Sequence, residues 1–543
     1  MKKRILLIVT SLLLVTAVLF ATASCVKMPE NQGNNATDTE SDVVTDVKDT
    51  EADTKKDTEE DTKADTDTEE DTEADTEEDT EEETEAPKDY NVEPENLDGF
   101  QLDILAVEKD TWNMHTDLAP TTVTGDTINR AVFQRNSAIQ KAYNAKIVAH
   151  EDAKYYGMTE KIMNDMIAGT NKYDAAYSEG SSVVSLVTDG SLYNLYELSE
   201  IQIEESWWSQ LVRREATLGS GKYSTLFFTQ SNLSLTAFDL TWCVYFNKTV
   251  HETEQIEDLY ALVDNNEWTI DKMKVISRNV ASLNEDESYS YNANGTAFYG
   301  TTTYWNGAKA LLDGGNVAFV TTNDDGDVIP NINNNVRFIN LTQSLAEMFR
   351  EVGTFTYGGP SADGTTTGNA SDYINIFNAE RSLFCVAEVK SSVSDFKTLD
   401  NFGILPLPKY DDTQEEYRSW VNYLAPVLVI PKTHDDAGDS LHNTALLLDA
   451  LSFYSNRDVL PQYYDVVLKG RGTNDPESIR MLDLINDTKS FDASIAYGWS
   501  RQFSEALSNT ILNGITDVSS LIGTYETMIS ENIENTLKLI FED

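Results

Sequence analysis

Residues 172–182 read Lys172-Tyr173-Asp174-Ala175-Ala176-Tyr177-Ser178-Glu179-Gly180-Ser181-Ser182. Tyr173 to Tyr177 is a short apolar run closed by a Ser/Gly cluster, which predicts a strand and then a loop. Working outward, the same alternation precedes it. Phe100 to Val107 (FQLDILAV) predicts a first strand. Thr127 to Asn144 predicts a helix, with Ile128, Ala131, Val132, Ala138, Ile139 and Ala142 on one apolar stripe. Lys146 to Ala149 predicts a second strand. Met158, Ile162, Met163, Met166 and Ile167 form the stripe of a second helix that stops at Gly169. Strand–helix alternation at this spacing implies a parallel sheet with crossover helices. Ligands of such sheets sit beyond the carboxyl ends of the strands, so Ser178 to Ser182 mark a candidate ligand edge.

The rest of the chain bounds its class. The sequence has 543 residues and a formal charge of −52, from 40 Lys+Arg and 92 Asp+Glu. Residues 38–86 hold 25 acidic residues and 4 Lys, a net of −21. This balance excludes a basic surface able to neutralise nucleic-acid phosphates, and it excludes polybasic docking to an anionic membrane. The asymmetry also predicts organisation. Lys2, Lys3 and Arg4, the apolar run Ile5 to Phe20, and Ala21-Thr22-Ala23-Ser24-Cys25 predict an export signal over 1–24 of lipoprotein type. Cys25 would be the lipidated residue; cleavage after Ala21-Thr22-Ala23 is the alternative. Two or more acyl chains anchor stably where one does not. Residues 25–95, with loose units such as Asp-Thr-Glu-Glu and little to bury, predict an acidic disordered tether extended by like-charge repulsion.

Cys243 and Cys385 lie in apolar strand-like runs and read as buried thiols. His115, His150, His251, His434 and His442 are scattered, with no metal-binding Cys/His cluster. Asn323 to Asp327 lacks the bidentate Glu of a calcium loop and reads as a hairpin turn. Asn284-Glu285-Asp286-Glu287 likewise lacks the needed ligands. No metal or cofactor is expected.

Several segments together carry a family resemblance. Lys172-Tyr173-Asp174 leading to Leu192-Tyr193-Asn194-Leu195, the pair Trp207-Trp208, Tyr245-Phe246-Asn247-Lys248 and Glu267-Trp268-Thr269 occur in order. Phe377 to Phe384, with Glu380 where Gly is usual, Gly403 to Tyr410 (GILPLPKY) and Leu447 to Ser455 follow. The arrangement resembles the bacterial extracellular solute-binding proteins of the sugar-binding class, over about residues 99–500. The resemblance implies an α/β, two-lobe periplasmic-binding-protein-like fold of type II, with mixed sheets flanked by helices around an interlobe cleft. It implies a first lobe from 96–238 and a return segment at 398–450, a second lobe at 239–397, and C-terminal helices at 451–543 packing mainly on the second lobe. The crossings are expected near Leu235 to Trp242 and near Asp400 to Leu405.

The resemblance also implies function. Such a protein captures a solute by closing its lobes, and ABC permease subunits accept it from the closed form. The expected ligand is a sugar or other small uncharged solute, bound by a monomer lipid-anchored on the outer face of the cytoplasmic membrane. Sugars present C–H faces and hydroxyl edges, so a binder needs flat aromatic rings and short polar side chains. At the proposed cleft these are Glu179, Ser181, Asp239, Trp242, Tyr304, Trp305, Glu388, Trp420 and Trp499. Trp207-Trp208 and Trp268 read instead as packing residues. The sequence has no G-x-S-x-G, no H-E-x-x-H and no Gly-rich phosphate loop, so a binder is expected rather than an enzyme. The alternatives are a surface glycan adhesin without a dedicated transporter, or a secreted glycosidase, which would need two carboxylates facing across a fixed gap.

Overall fold

In the computed structural model, residues 90–541 are described, apart from 110, 152, 290–294, 324–326, 352, 354, 359–370, 397–398, 400, 434–438 and 469–475. The expected signal segment, Cys25, His434 and nearly all of the tether lie outside these residues.

Local chemistry sets the first elements. Strand β1 is Gln101–Leu105 and β2 is Lys146–His150. The helix Thr127–Tyr143 between them starts at Asp126, whose side chain accepts from the Asn129 amide, and ends at Asn144 in the left-handed conformation. The helix Met158–Ala168 ends at left-handed Gly169. Strand β3 is Ala175–Glu179, two residues later than the sequence suggested, so Ser178 and Glu179 lie in the strand. The shift follows the pairing: Ile104 and Leu105 face Ala175 and Ala176 across a parallel ladder.

The second sheet begins with β4, Trp242–Asn247, and continues with β5, Tyr299–Tyr304. A small antiparallel hairpin, β6 (Val320–Thr322) and β7 (Val328–Pro330), closes through an Asn323 amide bond to the Asp327 carbonyl. Then come β8 (Phe355–Gly358), β9 (Ser382–Glu388), β10 (Phe402–Leu405), β11 (Ser419–Trp420), β12 (Pro426–Val429) and β13 (Lys489–Ser490).

Two mixed sheets result. The first has the order β12-β3-β1-β2, with β12 antiparallel to an otherwise parallel set. The second has the order β10-β4-β9-β5-β8, with β5 parallel to β8 and β9, and β4 antiparallel to β9 and β10. Each is a lobe. The chain leaves the first between Thr229, which bridges to Leu428, and β4. It does not return at 398. β10 pairs with β4 in the second sheet, so the return falls between Leu405 and β12. An apolar run such as FGIL fits either sheet, and the ladder partner decides. The C-terminal helices straddle the lobes: Leu460–Leu468 packs on the helix Thr127–Tyr143 of the first lobe, while Arg501–Leu512 packs on the helices Val336–Arg350 and Gly307–Gly314 of the second.

Three family-like segments have clear local reasons. Thr269 caps the helix Ile270–Val280 through the Lys272 amide, and Trp268 is fully buried with its indole N–H on the Pro406 carbonyl at 2.9 Å. Glu380, standing where glycine is usual, has φ of 56°, a left-handed conformation that glycine adopts without cost. Cys243 and Cys385 are free and buried on neighbouring strands. Trp207 and Trp208 are core residues: both indoles donate to Asp449 Oδ1, at 3.0 and 2.8 Å.

Candidate functional site

The carboxyl ends of β1, β3, β5 and β9 converge on the chain around β11 and the residues after it. The loop after β1 supplies Trp112, held at φ of 50°. Its ring lies 4.6 Å from Tyr155 and 5.9 Å from Tyr156. The Tyr155 hydroxyl donates to the Leu424 carbonyl, while Tyr156 is 72% exposed. From the second lobe, Lys390 just past β9 donates to the Trp112 carbonyl at 2.9 Å and pairs with Glu388 at 3.2 Å. Asn422 Nδ2 reaches the other Glu388 oxygen at 3.2 Å. Burial raises the Glu388 pKa, and Lys390 opposes the shift. Glu388 thus ties its own lobe to the crossing segment, and Lys390 beside it reaches the first lobe.

The end of β5 supplies Tyr304 and Trp305, both half-buried, with rings 5.9 Å apart and edge-on. Tyr304 also lies 5.9 Å from Tyr373. The helix Gly307–Gly314 follows at once, and only glycine fits its first position, because a Cβ there would strike the Thr303 side chain. One turn in, Lys309 Nζ lies 5.2 Å from the Trp305 ring centre and 4.6 Å from that of Tyr423. Tyr423 stands 6.4 Å from Trp420, and Trp420 stands 5.8 Å from Trp242. Arg501 lies 5.7 Å from the Tyr423 ring and pairs with Glu505 at 3.3 Å. Trp305, Lys309, Tyr423, Trp420 and Trp242 therefore form one continuous aromatic and cationic array.

Buried polar atoms in this array lack partners among the described residues. They include Trp242 Nε1, Asn306 Oδ1 and Lys309 Nζ. Protein interiors rarely leave such groups unsatisfied. Asp313, one further turn along the same helix, lines an adjoining cavity of about 360 Å³ with Glu215, Arg418, Asp492 and Trp499. Arg418 pairs with Glu215 at 2.8 Å and with Asp313 at 3.2 Å. Trp499 stacks on Tyr497 at 4.9 Å and 21°, and its indole N–H also has no partner among the described residues.

The structure thus joins Tyr304, Trp305, Trp420 and Trp242 into one array, sets Glu388 beside it, and places Trp499 in the adjoining cavity. It gives two of the other expected residues protein partners. Glu179 is buried and accepts from the Thr159 amide at 2.9 Å and from the Thr159 hydroxyl, doing for the helix Met158–Ala168 what its N-cap Gly157 cannot. Asp239 is fully buried and accepts from the His115 amide (2.5 Å), His115 Nδ1 (2.9 Å) and the Tyr463 hydroxyl (2.7 Å). Ser181 is partly exposed in the turn after β3. Sequence reasoning missed Trp112, Tyr155, Tyr156, Lys309 and Tyr423. The Trp-Asn pair before a polar loop at 112–113 was the available signal; a lysine in a helix carried none.

No protein-family model matches the sequence, and no curated protein matches it. Solved structures match across the folded part. UspC of Mycobacterium tuberculosis is 13% identical over 80% of this chain and 100% of its own, with a TM-score of 0.50. A cyclo/maltodextrin-binding protein complexed with maltotetraose is 12% identical over 81% and 96%, with a TM-score of 0.47. The substrate-binding protein Lmo0181 of Listeria monocytogenes, in complex with cycloalternan, is 12% identical over 81% and 99%, with a TM-score of 0.46. At such identities the likeness is one of fold. The chain has an α/β, two-lobe fold of the type II periplasmic-binding-protein kind, which it shares with UspC.

Proposed function

We propose that this chain is an extracellular solute-binding lipoprotein that captures a carbohydrate in its interlobe cleft and delivers it to an ABC importer. Cys25 carries the lipid, the acidic segment 25–95 acts as the tether, and the folded part works as a monomer. The observation that carries the reading is the array from Trp305 through Tyr423 to Trp242, with buried polar groups beside it that the described residues leave unsatisfied. Trp305, half-buried, offers a ring face for sugar C–H groups with Trp242, Trp420 and Tyr423 buried behind it, and unsatisfied donors and acceptors suit hydroxyls. Several fold neighbours are described with bound maltotetraose, cycloalternan or polyols, which is consistent with this reading. The engaged states of Glu179 and Asp239 weigh against a paired-carboxylate glycosidase built on them.

Binding is a shift between open and closed lobes, so the ligand must prefer the closed form. The bonds of Lys390 to Trp112 and of Asn422 to Glu388 are contacts of the kind that closure makes or breaks. A glycan panel screened by thermal shift tests the proposal, since a ligand present at 100 times its Kd stabilises the folded state by about 2.7 kcal/mol. Trp305→Ala is expected to weaken the best ligand at least about tenfold, the equivalent of about 1.4 kcal/mol, with little change in melting temperature. A panel without any hit rejects the carbohydrate reading. Unchanged calorimetric affinity in Trp305→Ala rejects that residue's role. The adhesin alternative is separated by the genomic neighbourhood: permease subunits encoded beside the gene favour transport, and their absence favours adhesion.

A further inference from the structure

The helix Gly307–Gly314 presents two charged side chains one turn apart, and their treatment by the fold differs. Asp313 is neutralised, by Arg418 at 3.2 Å and by the Ser490 hydroxyl. Lys309 is not. It is 5% exposed, and its Nζ has no hydrogen-bond acceptor among the described residues. What surrounds it are the two rings of Trp305 and Tyr423. Rings attract a cation, but they accept none of its three N–H bonds, and an ammonium withdrawn from water needs both charge and acceptors.

The neighbouring charges do not supply them. Glu505 is turned to Arg501, which itself lies over the far side of the array at 5.7 Å from Tyr423. Asp492 accepts from the Ser494 amide and hydroxyl and the Ile495 amide. Burial lowers the Lys309 pKa to about 8; Glu505 and Asp492 push it back up and Arg501 pushes it down. An anion beside the ammonium would favour its charged form. A buried ammonium set between two rings, with no hydrogen-bond acceptor among the described residues, marks a place where a ligand could bring one. The two rings beside it suit the faces of a pyranose.

Resting on the carbohydrate reading of this cleft, we propose that Lys309 is the recognition residue for a carboxylate on the bound sugar, so that the solute is a uronic-acid-containing oligosaccharide. A single ammonium matches a monoanion. A phosphate dianion would place a second negative charge near Glu505 and Asp492. The overall negative charge of the folded part does not oppose a monoanion held at a desolvated cation, because exposed charges more than a Debye length away are screened.

The test uses matched pairs of oligosaccharides, each a uronate and its carboxyl-reduced neutral counterpart with the same linkages: oligogalacturonates with α-1,4-galacto-oligosaccharides, oligomannuronates with β-1,4-manno-oligosaccharides, and glucuronoxylan fragments with the glucosyl-branched xylan fragments that their reduction gives. Each is titrated calorimetrically into the full chain and into Lys309→Met. The wild-type chain is expected to bind the uronate of at least one pair about tenfold tighter than its neutral partner. Lys309→Met should remove that preference, bringing the two members of the pair to equal affinity. Equal affinity for both members of every pair, or binding of neutral members alone, overturns the role of Lys309 and leaves the carbohydrate reading standing. Equal loss of both affinities in Lys309→Met shows a structural lysine and overturns it too. The wild-type comparison stands whether or not the variant folds. Failure of every member of every pair to bind overturns the carbohydrate reading together with the inference.

Discussion

Asp449 offers the sharpest check on how the first lobe is held. It is fully buried in the helix Asp439–Tyr454. Its Oδ1 accepts from the Gln202 amide at 3.0 Å and from the indoles of Trp207 and Trp208 at 3.0 and 2.8 Å. Its Oδ2 accepts from Gln202 Nε2 at 3.0 Å and from the Tyr90 hydroxyl at 3.2 Å. Burial, and then the Asp449 charge, push the Tyr90 pKa up. Asp449→Ala strands two buried indole donors and one half-buried amide. A buried donor left unsatisfied costs about 1–3 kcal/mol. Gln202 reaches water, so the indoles set the sum, at about 4 kcal/mol. With an unfolding entropy near 2.1 cal/mol/K per residue, the folded unit loses about 4 °C in melting temperature for that amount. Asp449→Asn keeps one oxygen for the three-donor side and lets Gln202 and Tyr90 reverse their roles, so about 1–2 kcal/mol is expected. Urea unfolding followed by tryptophan fluorescence reads both variants. Equal losses in Ala and Asn, or an Ala loss below about 1 kcal/mol, would refute the account of a carboxylate organising the Trp pair.

Other outcomes follow from the same structure. Burial pulls the His115 pKa down, but Asp239, by charge and hydrogen bond, with Asp126 and Asp117 adding, outweighs it and the net shift is upward. That stability is therefore fully present below the unfolded value and is lost as pH rises through the folded value; Asp239→Asn should lower the His115 pKa seen by NMR. Burial raises the Glu215 pKa to about 7, with Arg418 opposing and Asp313 adding. The folded state then holds a proton that the unfolded state releases, so stability falls as pH rises from about 4.3 towards that value. Glu215→Gln should flatten this slope in urea midpoints measured from pH 5 to 8. Gly180→Ala should cost about 1–3 kcal/mol, because the new methyl would lie 2.7 Å from the Ala425 carbonyl and 2.9 Å from that of Tyr423, backbone atoms that yield little.

What the sequence made legible was local. Asn144 and Gly169 announced helix ends because capping is decided within four residues. Strand register was less legible: β3 shifted by two because its partner lies 71 residues upstream. The assignment of β10 needed its ladder with β4, which no composition records. In the site, aromatic side chains were visible as candidates, and Trp305 and Trp242 do join one array. Glu179 and Asp239 looked like free strand-end carboxylates because their donors, Thr159, His115 and Tyr463, are remote in sequence. Lys309 was invisible for the opposite reason. A lysine on a short helix reads as solvated until Tyr423, 114 positions later, closes over it. The acid inside Leu446-Leu447-Leu448-Asp449-Ala450-Leu451 was a fair signal of a buried carboxylate, since an apolar run around it leaves no exposed face.

The interleaved route of the chain sets an order of assembly. The second sheet is built from one continuous stretch, Trp242 to Leu405, and its first and last strands are ladder neighbours. It can therefore complete itself as soon as that stretch is available. The first sheet cannot. Its strand β3 gains its outer neighbour only when Pro426 pairs with Glu179, a loop closed across 247 residues. Contacts of such separation form late, because the closure entropy precedes the reward. During synthesis the lobe that emerges first is thus finished last. Between those moments the β12 side of β3 is an open edge, the kind on which strands of other chains pair. The vulnerable period of this protein's folding runs from the formation of β3 to the arrival of β12.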